Sequence, residues 1–155
     1  MDRTLNAHNG FTLVELIITV AVIGIILAVA LGNFRGISQS NAVNRDVNSI
    51  ASFLQDKRMV AFTRKVPIAI QTGVVAGMPF QQISTAPDFG PVNMDNTFIS
   101  SSATFTINSR GMFSAPGSIR INGSNFGASR DCVLIANTRV RIGAWNSGTA
   151  QCNPE

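Results

Sequence analysis

The chain has 155 residues, of which 45% are hydrophobic and 13% are charged, a size that suits one domain with an appendage. Its twelve basic and eight acidic residues give a formal charge of +4. The sole histidine, His8, lies in the polar leader, so the rest of the chain offers no Ser–His or Cys–His pair. No phosphate-binding or dinucleotide-binding glycine motif is present. A non-enzymatic protein is therefore predicted, with no catalytic residue, no cofactor and no metal site.

An apolar segment follows the polar leader. Residues 11–31 form a run of 21 residues in which only Glu15 is ionisable. As a helix this run would span roughly 31 Å, about the thickness of the hydrocarbon core of a bilayer. A carboxylate inside hydrocarbon is costly unless it is paired or protonated, so an acid there indicates a functional site. The alternative is a side chain that reaches back to the nearby membrane interface.

The following residues predict a continuation of the same helix. Apolar residues recur there at helical spacing, at Val43, Val47, Ile50, Leu54 and Ala61. Polar and charged residues, among them Asp46 and Lys57, are predicted to occupy the remaining surface. Because no proline precedes Pro67, one helix over about 11–63 is predicted, half of it in the membrane and half packed on a domain.

The remainder predicts strands and turns, and hence an α+β fold in which the helix packs on an antiparallel sheet. Alternating or continuous apolar runs place strands at 66–71, 103–108, 118–122, 132–136 and 139–143. The segment 72–96 contains three prolines and three glycines. It is predicted to be a long loop with at most one strand, near 80–83.

The segment GFTLVEL, residues 10–16, resembles the type IV prepilin signature, in which a leader ends in Gly and an apolar helix follows. In that family a membrane-embedded prepilin peptidase cuts after the Gly and N-methylates the new amino terminus. The resemblance implies cleavage between Gly10 and Phe11 and an N-methylated Phe11. It also implies that Glu15, the fifth mature residue, meets the free amino terminus of a neighbouring subunit on assembly.

An ordinary secretory signal peptide is the alternative for the same segment. Residues 28–30, AVA, have the small-x-small pattern of a cleavage site. Cleavage after Ala30 would release a secreted protein that begins at Leu31. Two features disfavour this alternative: the leader has no net side-chain charge, and Glu15 interrupts the apolar run.

The downstream residues resemble the minor pilins and pseudopilins of the GspH/FimT type, through the stretches 54–61, 105–111, 118–121 and 138–142. The resemblance implies a leader at 1–10, a transmembrane and assembly half of the helix at 11–31, an amphipathic half at 32–65 and a β-rich pilin domain at 66–155. It implies a single-pass protein of the bacterial inner membrane with a periplasmic domain. Its partners would be prepilin peptidase and other pilins, in a type IV pilus or a type II secretion pseudopilus.

Two cysteines, Cys132 and Cys152, lie in the part that the resemblance places in the oxidising periplasm. A pair of cysteines in that compartment most simply forms a disulfide. Closing a loop of this size stabilises a fold by about 3 kcal/mol in the chain-entropy model. A metal or redox role is the alternative.

Three arginines suggest a further partner. Arg139 and Arg141 flank Val140 on a predicted strand and so lie on one face, and Arg120 points outward on another strand. A row of guanidinium groups suits phosphate binding. Some members of this branch bind DNA through a Gly-Arg-x-Arg motif near the C terminus, and here Thr138 replaces the Gly. The alternative function is therefore a minor pilin that binds double-stranded DNA for uptake, and the simpler interpretation is a solvated strand face.

Overall fold

The computed structural model describes residues 11–73, 75–87 and 90–154, apart from the side chains of 30–33. One α-helix, α1, covers Leu13–Arg64, 52 residues, which confirms the prediction of a single long helix. The helix ends where Lys65 adopts a left-handed φ of 56°, a conformation that closes many helices. Pro67 follows and cannot continue the helical hydrogen bonds.

The chain divides into two compact units, Met1–Gly36 and Ile37–Glu155. The described part of the first unit is the apolar beginning of α1, in which all the side chains from 11 to 29 are exposed. The second unit contains the rest of α1 and the described strands.

Eight antiparallel strands form one sheet in the described part of the second unit. They are β1 Ile68–Gln71, β2 Pro79–Ala86, β3 Val92–Ser100, β4 Thr104–Ile107, β5 Gly117–Ile121, β6 Cys132–Ile135, β7 Val140–Asn146 and β8 Gln151–Pro154. Their order across the sheet is β4-β1-β2-β3-β5-β6-β7-β8. The strands β1, β4, β5, β6 and β7 lie where the sequence predicts them, and the α+β type IV pilin-like architecture is confirmed.

The prediction of a long loop over 72–96 is wrong, because β2 and the first residues of β3 lie in this segment, although the one strand predicted near 80–83 lies within β2. Phe80 and Ile83, three positions apart, are both buried because the register of β2 against β3 shifts between Phe80 and Gln82. That irregularity removes the two-residue alternation by which strands are recognised. The strand β8 was not predicted, since its four residues carry no apolar alternation.

The core of the second unit lies between α1 and one face of the sheet. The predicted helical stripe is confirmed, because Val43, Val47, Ile50, Leu54 and Ala61 are all fully buried. Side chains from central strands complete the core, including those of Phe98, Ile119 and Val133.

Two charged residues that the helical pattern assigned to the surface are buried instead. Asp46 is 6% exposed, and its carboxylate accepts hydrogen bonds from the backbone N–H groups of Asp95 and Asn96 in β3. Lys57 is 8% exposed, donates to Asp56 and lies 5.0 Å from the centroid of the Phe53 ring. The surface assignment was wrong because each charge finds partners that compensate its burial.

We call the side of β5, β6 and β7 that points away from the core the outer face. The strand β8 bends over this face. A Cβ atom at Gly143 would meet the carbonyl oxygen of Asn153 and lie 2.8 Å from the Cα of Pro154. The predicted disulfide is confirmed, and it joins Cys132 of β6 to Cys152 of β8 with Cα atoms 6.0 Å apart.

Candidate functional site

The first turn of α1 carries Glu15 just after a helix cap. The Oγ1 atom of Thr12 accepts a hydrogen bond from the backbone N–H of Glu15 at 3.2 Å, so Thr12 is the N-cap residue. Glu15 is the third helical residue, where the helix macrodipole favours a negative charge. Sequence reasoning missed the role of Thr12, although the T-x-x-E spacing is the signature of a capping box.

The Glu15 side chain is exposed, and within the described ranges its carboxylate has no hydrogen-bond or ion-pair partner. Phe11, two residues before the helix, is 79% exposed. Gly10, the residue predicted to precede the cut, lies outside the described residues. The predicted assembly acid, Glu15, lies four positions after Phe11 in the sequence.

The helix beyond Glu15 presents an uncovered apolar surface. One window of 18 residues in α1 has a mean hydropathy of 2.9, and none of it is buried. By length and composition this helix can cross a membrane.

Arg139 and Arg141 lie together on the outer face. Both are exposed, whereas Val140 between them is 8% exposed and packs into the core. They border a shallow depression of about 250 Å³ with Leu134 and Ala136. Thr138 lies in the turn between β6 and β7 without a positive φ, so this turn does not require the glycine of the DNA-binding motif.

Arg120 points outward, as predicted, but it lies apart from the other two arginines. In the sheet register Arg120 pairs with Cys132, whereas Arg141 pairs with Leu134. From strand spacing the Cα atoms of Arg120 and Arg141 are roughly 12 Å apart. The guanidinium of Arg120 is stacked over the Trp145 ring, 4.6 Å from its centroid. The structure therefore brings two of the three predicted arginines together and gives the third a different neighbour.

Residues 5–31 match the family model of the prokaryotic N-terminal methylation motif. The matched segment contains Gly10, Phe11 and Glu15. No curated protein and no solved structure matches the chain at a significant level.

The methylation motif indicates a prepilin-type pilin or pseudopilin that prepilin peptidase processes. It implies anchoring in the membrane through the apolar part of α1, followed by assembly with other pilins. The motif is that of a structural subunit, a class of protein that is generally non-enzymatic. In the parts of the chain that the structure describes, no cluster of three or more His, Cys, Asp or Glu side chains is placed to hold a metal ion.

Proposed function

We propose that this protein is a minor pilin or pseudopilin of the GspH/FimT type, a filament subunit at the tip of a type IV pilus or a type II secretion pseudopilus. The observation that carries the proposal is the N-terminal methylation motif on an apolar helix whose later residues form the core of a β-rich domain. The boundaries at 1–10, 11–31, 32–65 and 66–155 are part of the same proposal.

Processing takes place between Gly10 and Phe11, and the new amino group of Phe11 is methylated. The cut places a positive amino terminus close to the N-terminal end of α1. The helix macrodipole disfavours a cation at that end. A nearby carboxylate offsets this unfavourable interaction, which is the electrostatic reason for Glu15 in the first turn.

Glu15 acts at assembly by pairing with the amino terminus of a neighbouring subunit. Alone in the membrane the carboxylate is costly, so the pair favours the one axial position in which both charges are satisfied. The exposed apolar side chains of α1 then pack against neighbouring helices. The domain, closed by the Cys132–Cys152 disulfide, lies in the periplasm before assembly.

Mass spectrometry of the mature N terminus tests the processing step. The expected product begins with N-methyl-Phe11. A mature protein that begins at Leu31 would instead establish an ordinary secreted protein with a signal peptide cut after Ala30.

A Glu15→Gln variant tests the assembly step, because it keeps the size and polarity of the side chain but removes its charge. Membrane insertion and cleavage should continue, and the variant should be absent from purified filaments. Incorporation at the wild-type level would exclude a charge-dependent role for Glu15.

A second candidate function is the binding of double-stranded DNA by the same pilin. It is favoured by the exposure of Arg139 and Arg141 side by side on the outer face. Guanidinium groups form bidentate contacts with phosphate oxygens, and their number sets the salt dependence of binding.

Gel-shift titrations of the full chain in detergent micelles test DNA binding. The double variant Arg139→Ala/Arg141→Ala should bind DNA more weakly at low salt. The slope of its log affinity against log salt concentration should also be smaller, by the amount that corresponds to about two phosphate contacts. Arg110→Ala, which removes an exposed arginine elsewhere in the domain, is the matched control. Unchanged affinity in the double variant removes this candidate.

A further inference from the structure

Arg120 is half-buried, and its guanidinium has no acidic partner among the described residues. Its one hydrogen bond joins Nη1 to the carbonyl oxygen of Ile121 at 3.4 Å, and no carboxylate in the described parts of the chain forms an ion pair with it. Arginine has five N–H donors, so most of its hydrogen-bonding capacity remains unused. A partly buried cation of this kind is stabilised by an anion that reaches it.

The surroundings hold the backbone of Trp145, whose ring contacts Arg120, in a fixed position. The backbone N–H of Trp145 donates to the Asp131 carboxylate at 2.6 Å. Opposite Trp145 in the register lies Cys152, which the disulfide ties to Cys132. The stacked pair is therefore built before any ligand arrives, and preorganisation of this kind reduces the entropic cost of binding.

The space beside the pair can receive a small group. A depression of about 300 Å³ is bordered by Arg120, Trp145, Ser118 and the half-buried Ile99. Neither the indole N–H of Trp145 nor the hydroxyl of Ser118 has a hydrogen-bond partner among the described residues. Arg120, Trp145 and Ser118 can thus each donate a hydrogen bond next to apolar carbon, and Arg120 adds a positive charge, so the complementary group is an acceptor with a negative charge.

A second depression, of about 480 Å³, adjoins the first and shares its border at Ser101, Ser118 and Ala150. Its floor and walls include Leu134, Pro116 and the Cys152 end of the disulfide. A ligand with its charge at Arg120 can therefore extend an apolar body across this surface.

We propose that Arg120 and Trp145 form a binding site for an organic carboxylate, with the carboxylate on the Arg120 guanidinium and the apolar body toward Leu134. A planar carboxylate matches the guanidinium fork with two parallel hydrogen bonds. Phosphate carries more charge and loses more hydration free energy in a half-buried, partly apolar depression. The inference does not depend on filament assembly, and it separates Arg120 from the proposed DNA contact at Arg139 and Arg141.

Trp145 itself reports on this site, because it is the only tryptophan and the chain contains no tyrosine. The full chain in detergent micelles is titrated with butyrate, and its tryptophan fluorescence is recorded. The expected result is a saturable change with butyrate and a weaker affinity for acetate, which has less apolar carbon. Butyramide, the neutral analogue, should give no saturable change.

Three variants assign the effect to Arg120. Arg120→Gln should weaken butyrate binding by at least about tenfold, since it removes a charge-assisted pair. Arg120→Lys keeps the charge but loses the planar fork, so its affinity for butyrate should lie between those of the wild type and Arg120→Gln. Arg139→Gln is the matched control and should bind butyrate as the wild type does. Circular dichroism of each variant confirms that the fold is retained.

Several results would overturn the proposal. The absence of a saturable change in the wild type refutes the site, and so does equal butyrate affinity in the wild type and in a folded Arg120→Gln or Arg120→Lys variant. Affinity for inorganic phosphate that equals or exceeds the affinity for butyrate refutes the assignment to carboxylates. The mature N-terminal sequence and filament incorporation are measured separately. A negative result for butyrate binding therefore does not contradict the proposed function.

Discussion

Replacing Asp46 by alanine should destabilise the second unit far more than replacing its neighbour Arg45. The buried Asp46 carboxylate links α1 to β3 through three hydrogen bonds. It accepts from the backbone N–H of Asp95 at 3.3 Å, and from the backbone N–H and the Nδ2 of Asn96, both at 2.8 Å. Arg45, by contrast, pairs with Asp95 on the surface, where the two side chains are 65% and 70% exposed.

The geometry sets the expected size of the two effects. A hydrogen bond to a charged group contributes about 1.5–3 kcal/mol, and two of the three bonds to Asp46 are short. Some of the released donors will find water, so we expect Asp46→Ala to lose about 3 kcal/mol of unfolding free energy. An exposed ion pair contributes about 0.2–1 kcal/mol or nothing measurable, so Arg45→Ala should lose about 0.5 kcal/mol or less.

Urea unfolding of the full chain in micelles measures both losses, because the fluorescence of Trp145 follows the second unit alone. With a slope of about 2 kcal/mol/M, the Asp46→Ala midpoint should fall by about 1.5 M and the Arg45→Ala midpoint by about 0.25 M or less. Asp46→Asn should fall between the wild type and Asp46→Ala, because it keeps one acceptor oxygen. Equal midpoints for Asp46→Ala and Arg45→Ala would show that the buried carboxylate does not hold α1 to β3.

Three further changes test other parts of the structure. The double change Cys132→Ser/Cys152→Ser should lower the unfolding free energy by about 3 kcal/mol in the same urea assay, and a smaller loss than about 1 kcal/mol would contradict the loop-closure argument. Gly143→Ala should lower it by about 1–3 kcal/mol because the new methyl group meets the backbone of β8. Gly148→Ala, in the adjacent turn, is its control and should cost less. Thr12→Ala should speed amide exchange at the start of α1 through loss of a cap worth about 1 kcal/mol, whereas Thr12→Ser should not.

The helix was predictable because its apolar residues recur at helical spacing. Each apolar residue of the stripe lies three, four or seven positions from the next, and all of them face one core. The burial of Asp46 was not predictable from that pattern. Its partners lie 49 and 50 residues away in β3, and only the folded chain brings them to the carboxylate.

Some strands, like the helix, are predictable from their own sequence pattern, and others depend on contacts made elsewhere in the chain. The strand β5 alternates between buried and partly exposed side chains, so its sequence reveals it. The strand β8 forms because β7 supplies its hydrogen-bonding edge and Cys132 supplies a covalent tether. The sequence predicts the tether through Cys152, but it does not predict the pairing with β7, because the other three residues of β8 are typical of a polar tail.

The candidate sites differ in whether a local motif or the strand register defines them. Gly10, Phe11 and Glu15 lie within six consecutive residues, so this motif can be recognised from the sequence alone. On the outer face, alternation predicts correctly that Arg120, Arg139 and Arg141 point away from the core, but it does not give their positions along the strands. The register does: it places Arg120 beside Cys132 and Arg141 beside Leu134. A charge that the sequence groups with two other arginines therefore lies next to a tryptophan 25 positions away, where a carboxylate is a better partner than a phosphate backbone.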